Sequence, residues 1–382
     1  MFCGAQFMRS YLFCGVVPEH TKNLHRGGSA MQAIDLFSGA GGMSVGASMS
    51  GINVRYAVEL DKHAAATFAL NHKHTTLLNQ DIRTVKASHF KAFDKKQPTV
   101  IFGGPPCQGF STSNQKNRDM QNANNWLYME YMRLVKEVRP DWVVFENVKG
   151  LIETENGFFL EAVLDGFKKL GYTTNHFVLN SANFGVPQRR NRLFIIGSLH
   201  GIEVSAPQSS VKKHRTVKDA IHDLPELENG DAPDLEKYAK SAESTYAKKM
   251  RGKLDECWNN VVTDNAPHIL KRYAYIPQGG NWEDIPKRLM ANYTDVTRCH
   301  TGIYRRLKED EPSVVIGNFR KNMLVHPWKN RGLSVREAAR LQSIPDWFRF
   351  SGSIGFQQQQ VGNAVPPLLA QAVLMQLMDL EK

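Results

Sequence analysis

The stretch GGPPCQGFS, residues 103 to 111, sets one thiol, Cys107, directly after two prolines, with the apolar run Val100-Ile101-Phe102 leading into it. Proline fixes φ and removes an N–H, so the backbone entering the thiol is stiff. A nucleophile gains rate from being held in one orientation. An ordinary free cysteine is instead a small buried hydrophobe, but the stiffened, glycine-flanked loop favours the nucleophile. Glu146 ends the apolar run of DWVVFEN, and VPQRRNRLFIIG carries Arg189, Arg190 and Arg192 into another such run. Alternation along a strand puts Arg190 and Arg192 on one face. Taken singly, Glu146 also reads as a surface carboxylate or helix cap, and the arginines as phosphate contacts or ion-pair partners.

A second group lies nearer the N-terminus. DLFSGAGG places Gly39, Gly41 and Gly42 at a strand-to-helix turn, where the backbone can approach a ligand and a helix N-terminus offers free N–H groups. No Gly-Lys-Ser/Thr follows, so this is not a Walker A loop, and it is not a strict GxGxxG. Glu59 ends the next strand-like run about 20 residues on, where an acid can hydrogen-bond ribose hydroxyls. Asp81, in NQDI, is expected to end a third. Each acid alone is as well explained as a cap or loop residue. Three successive strand ends together favour a site for a nucleoside with two hydroxyls and an exocyclic amine.

The elements that must hold these groups alternate. AIDLF, VRYAVEL, TVIFGG, DWVVFEN and NRLFIIGS read as strands; MSVGASMSG, DKHAAATFALNH, NWLYMEYMRLVKEVR and GFFLEAVLDGFKKLG read as helices, with Asp61 as an N-cap. That rhythm predicts an α/β fold, a mostly parallel sheet covered on both faces. After about residue 205 it breaks into a segment rich in proline, glycine and basic residues. Order returns at LSVREAARLQSIPDWF, where Ser334 and Glu337 have capping-box spacing. PPLLAQAVLMQLMDLEK reads as a closing helix packed back on the first unit. The expected organisation is an extension over 1–30, a catalytic and cofactor-binding domain over 31–205, an irregular reading domain over 206–325, and a returning segment over 326–382.

Composition narrows the class. Hydrophobic residues at 42% and charged residues at 22% suit a soluble globular chain, and no membrane partner is expected. The five cysteines are scattered without a CxxC pair, so neither a disulfide framework nor a metal site is expected, and a reducing, cytoplasmic compartment is. A formal charge of +11 with pI near 9.3 fits a polyanionic partner, although a generally basic surface explains it equally.

From about residue 31 onward, the blocks DLFSGAGGMSVG, ELDKHAAATF, NQDI, GGPPCQGFS, FENVKGL, VPQRRNRLFIIG, RGLSVREAARLQSIPDWF and QQQQVGNAVPPLLA follow in one order. In this the chain resembles the cytosine-5 DNA methyltransferases of bacterial restriction-modification systems. The resemblance implies a Rossmann-like, S-adenosylmethionine-dependent domain with a smaller target-recognition domain. It implies that Phe37 contacts adenine, Gly39 and Gly42 the methionine part, Glu59 the ribose, Asp81 the adenine amine and Ile82 the ring face. Leu60, Gly104, Pro106, Asn363 and Val365 complete the implied cofactor set. Cys107 is implied as the thiol that adds to C6 of cytosine, Glu146 as the contact to N3 and the exocyclic amine, and Arg192 as the contact to O2, with Arg190 in support.

A stacked base cannot meet both thiol and methyl donor, so a flipped-out cytosine is expected. By resemblance the irregular region reads double-stranded DNA. Its candidates are Lys212, Lys213, Arg215, Lys248, Lys249, Arg251, Lys271, Arg272, Arg298, Arg305 and Arg306, with Trp258, Tyr273, Tyr275 and Trp282 interleaved. A monomer and a companion restriction endonuclease acting on the same site are implied. The rivals are a transfer-RNA cytosine-5 methyltransferase of the same family, a non-catalytic DNA-binding protein and a nicotinamide-dependent oxidoreductase. The long basic region disfavours the first, the complete Cys107, Glu146 and Arg192 set the second, and the Pro-Pro-Cys loop the third.

Overall fold

Strand β1 (Gln32–Leu36) is buried at all five positions and lies between two parallel neighbours, β2 (Asn53–Val58) and β4 (Thr99–Gly103). The computed structural model describes residues 31–91, 93, 96–106, 127–153, 157–238, 240–293, 302–317, 319 and 324–381. Beyond β2 lies β3 (Thr76–Leu78) and beyond β4 lies β5 (Trp142–Val148), both parallel. β6 (Thr173–Asn180) and β7 (Asn191–Ser198) close the sheet, with β7 antiparallel to both β5 and β6. The order is β3-β2-β1-β4-β5-β7-β6.

The mostly parallel sheet expected from the sequence is present: β1 to β5 pair in parallel, and β7 alone runs against its neighbours β5 and β6. β6 is half exposed and reads TTNHFVLN, without an apolar run to mark it. Only a short 3-10 turn, Ser181–Phe184, stands in its connection to β7, too little for a parallel crossover.

Alternation builds the two layers. Ile34, Leu36, Ile101, Val143 and Phe145 face helices α3 (Leu127–Val138) and α5 (Phe158–Lys169), where Tyr131, Leu134, Val163 and Phe167 meet them. Ala33, Val100, Phe102, Trp142 and Val144 face α1 (Gly42–Met49) and the closing helix. Helix α2 (Lys62–Asn71) follows β2 and is capped by Asp61, which accepts from His63 and Ala64 N–H. The one-turn helix α4 (Gly150–Glu153) follows β5.

The remaining elements are α6 (Val217–Ile221), the antiparallel pair β8 (Leu235–Lys237) and β9 (Glu256–Trp258), α7 (Thr245–Arg251), α8 (Pro267–Tyr273), α9 (Val335–Leu341), α10 (Ile354–Asn363) and α11 (Pro367–Leu380). The capping box of α9 is present: Ser334 Oγ accepts from Glu337 N, and Glu337 accepts from Ser334 N. Glu337 is also buried against Arg331 at 2.7 Å. A Cβ on Gly46 would lie 2.6 Å from Ala370 Cβ, so glycine lets α11 lie against α1. The stretch Ile354–Leu380 is long and apolar enough to cross a bilayer by composition, but it is two helices separated by Ala364–Pro366, and 67% of its apolar window is buried in the fold.

Candidate active site

In an open α/β sheet ligands bind beyond the strand carboxyl ends where the strand order reverses, here between β1 and β4. The turn after β1 takes left-handed geometry at Phe37 (φ 60°), Gly39 (φ 55°) and Gly41 (φ 100°). Open space lies in front of Gly39, where an added Cβ would meet nothing within 4 Å. Glu59, at the end of β2, braces the turn: Oε2 accepts from Gly39 N and Oε1 from Asp61 N, both at 2.7 Å. Burial nevertheless raises its carboxyl above the usual range. Ser38 Oγ is buried without a partner among the described residues. This is a polar-lined cradle suited to a ligand with hydroxyls.

The other cofactor candidates gather around it unevenly. Ile82 is buried, while Leu60 is 63% exposed. Asp81 does not end a strand, because β3 stops at Leu78. It caps the 3-10 turn Ile82–Thr84, accepting from Arg83 N and pairing with Arg83 Nε at 3.1 Å, and the Arg83 N–H holds its carboxyl below the usual range. The C-terminal segment reaches the site through Gly42: a Cβ there would stand 2.5 Å from Val365 O. Val365 is buried, and Asn363 ends α10 on an exposed face.

Beyond β4 the chain runs through Gly104, Pro105 and Pro106; Cys107 lies outside the described residues. Gly104 passes so close to β5 that a Cβ would lie 2.4 Å from Glu146 Oε2. Arg192 Nε pairs with Glu146 Oε1 at 2.9 Å, and both side chains are nearly buried. Burial raises the Glu146 carboxyl despite the two guanidiniums beside it, and lowers Arg192.

Arg190, expected as a supporting residue, stands beside Glu146 and is also tied to the main chain. It is 2% exposed and donates Nη1 to Ile316 O at 2.7 Å and Nη2 to Gly362 O at 2.9 Å, while its buried Nε has no hydrogen-bond partner among the described residues. It thus clasps the segment before residue 317 to the one entering Asn363. Arg189 points outward to Glu311 at 3.0 Å.

Two buried residues escaped sequence reasoning. Gln188 donates to Leu341 O and Gln342 and accepts from Ile316 N, tying the same segments together. Asp35, in β1, accepts from Ser44 Oγ at 2.6 Å, and burial pushes its carboxyl up to about 8. Its signal was a lone acid inside the apolar AIDLF.

Several expected DNA-reading residues are structural. Arg272 is buried, bonding Tyr304 Oη and Leu289 O, and Arg306 is buried among the carbonyls of Tyr273, Ile276 and His326. Tyr273 is buried, Trp282 Nε1 is buried, and the Trp258 ring lies 3.6 Å from the Arg349 guanidinium. Lys212, Lys213, Lys248, Lys249, Lys271 and Tyr275 are exposed, Arg215, Arg251 and Arg305 half-buried; Arg298 lies outside the described residues.

Residues 31–379 match the family of C-5 cytosine-specific DNA methylases. The chain is 37% identical to the type II methyltransferase M1.HphI of Haemophilus parahaemolyticus over 89% of its own length and 84% of that protein. It is 35% identical to the type II methyltransferase M.XorII of Xanthomonas oryzae pv. oryzae over 90% of its length and 84% of the relative. Among solved structures, a prophage-encoded DNA modification methyltransferase of E. coli superposes with a TM-score of 0.76 at 27% identity, covering 92% of this chain and 99% of that one. The buried Glu146–Arg192 pair beside the glycine turn therefore sits in a chain that belongs to the C-5 cytosine-specific DNA methylase family, a DNA cytosine-5-methyltransferase of the type II restriction-modification kind.

Proposed function

We propose that the chain moves a methyl group from S-adenosylmethionine to C5 of a cytosine flipped out of a specific double-stranded DNA sequence, through a covalent bond between Cys107 and C6. The observation that carries this reading is the Glu146 carboxyl, raised by burial, paired with Arg192 and pressed against Gly104 three residues before the thiol. C5 of cytosine is a weak nucleophile. Addition of the Cys107 thiolate at C6 moves electron density onto C5. Glu146 holds N3 and the exocyclic amine, so that N3 gains a proton as the adduct forms, and Arg192 holds O2. C5 then takes the methyl group, the donor leaving as its thioether; a base removes the C5 proton, the thiolate departs from C6 and N3 returns its proton to Glu146, which restores the ring.

The cradle after β1 fits the cofactor. Glu59 would hold the ribose hydroxyls, with Phe37, Leu60, Asp81 and Ile82 around the adenine. Gly39, Gly42, Gly104, Pro106, Asn363 and Val365 would hold the remainder. Bound there, S-adenosylmethionine supplies an electrophilic methyl group on a sulfonium. We assign catalysis and cofactor binding to residues 31–205 and 326–382, and sequence reading to 206–325, in a cytoplasmic monomer that shares its DNA site with a companion endonuclease.

Purified protein incubated with labelled S-adenosylmethionine and duplex DNA of varied sequence, followed by base-resolution mapping of 5-methylcytosine, tests the reading. One short methylated motif, lost in Cys107→Ala while cofactor binding persists, is expected. Undiminished methylation by Cys107→Ala would remove the covalent step.

A further inference from the structure

The last ladder pairs of β4 are Leu36 with Gly103 and Gly103 with Phe145. Past them come Gly104, Pro105 and Pro106, and the two prolines have no N–H to donate. Carbonyl oxygens are therefore the main-chain handles by which the proline pair can be tied down. One is tied: Asn147, 5% exposed, donates Nδ2 to Pro105 O at 3.0 Å. Its Oδ1 accepts from Val148 N at 2.9 Å, which fixes which end of the amide faces the proline. The residue before it, Glu146, stands against Gly104. Two consecutive residues of β5 thus face two consecutive residues of the segment, Glu146 packing close to Gly104 and Asn147 bonding Pro105.

We propose that Asn147 is a positioning residue for methyl transfer, whose side-chain amide holds the Pro105–Pro106 segment in register with the Glu146 carboxyl and Arg192. A base gripped by Glu146 and Arg192 is then presented where the chain runs on into Cys107. The proposal rests on the function given above. It requires a donor at residue 147. An ionised aspartate has the same shape but would set negative charge against Pro105 O and beside Glu146, whereas a protonated one regains an O–H donor.

The test compares the full-length wild type with Asn147→Ala and Asn147→Asp in three measurements: calorimetric binding of S-adenosylmethionine, duplex DNA binding, and single-turnover methyl transfer against pH. Both variants are expected to keep cofactor and DNA affinity within about threefold. Their transfer rates should fall by roughly 30- to 100-fold near neutral pH, the scale of a small misplacement. Normalised to wild type, N147D should recover several-fold as the pH is lowered and N147A should not, a split that loss of packing alone does not produce. Transfer by N147A within about twofold of wild type, or identical pH profiles for the two variants, overturns the proposal. Wild type that binds cofactor and DNA but transfers nothing overturns the function itself, and this inference with it.

Discussion

Replacing Asp35 by asparagine should remove a large pH dependence from the stability of this protein. Asp35 sits in β1 beneath the glycine turn, 1% exposed, with Ser44 Oγ at 2.6 Å and the Glu59 charge nearby. Burial lifts its carboxyl from 3.8 to about 8. Between those values the folded chain keeps a proton that the unfolded chain releases. The stabilisation is complete below the unfolded pKa and is lost as the pH rises through the folded one. Each pH unit in that window corresponds to about 1.4 kcal/mol. From about pH 5 to about pH 7.5, this one group should therefore cost the wild type on the order of 3 kcal/mol.

Asparagine keeps the shape, stays neutral and accepts the Ser44 hydrogen bond. Urea unfolding of both proteins across that range isolates the effect, because every other titrating group is common to the two. The advantage of D35N over wild type should grow steadily with pH and level off above about pH 8. A stability difference that stays constant across the range would refute the claim that Asp35 is held neutral by burial.

Other substitutions separate the parts of the site. Gly104→Ala puts a Cβ 2.4 Å from Glu146 Oε2, so the carboxyl must shift from its place beside Arg192; single-turnover transfer at saturating S-adenosylmethionine should drop about 100-fold or more, and normal turnover would refute the contact. Gly42→Ala drives a Cβ against Val365 O at 2.5 Å and should weaken S-adenosylmethionine binding about tenfold or more by calorimetry, whereas wild-type affinity would separate Val365 from the cofactor pocket. Arg331→Leu removes the guanidinium 2.7 Å from the buried Glu337 carboxylate, leaving it His326 at 3.4 Å and the Ser334 N–H, and should cost about 3 kcal/mol in urea unfolding; a loss below about 1 kcal/mol would mean that the pair is not desolvated.

The sequence by itself determined whatever depends on neighbours a few residues apart. Asp61 caps α2 through N–H groups two and three positions on, and Ser334 and Glu337 exchange bonds across one turn. Gly39 and Gly41 take the positive φ that a sharp strand-to-helix turn requires, and the apolar runs became the buried strands β1, β4, β5 and β7. Glu146 was expected at a strand end and lies two residues before it, because β5 continues to Val148 by pairing with β7.

Only the tertiary structure separated Arg190 from Arg192. The two are alike in type and expected face, but one donates its Nη groups to carbonyls 126 and 172 residues away and the other forms the ion pair with Glu146. It also turned Arg272 and Arg306 from expected DNA contacts into buried struts, and raised the Asp35 carboxyl by burial. The physical reason is common to all of these. Desolvation and long-range hydrogen bonding set what a charged group can do, and both depend on residues that the local sequence does not name.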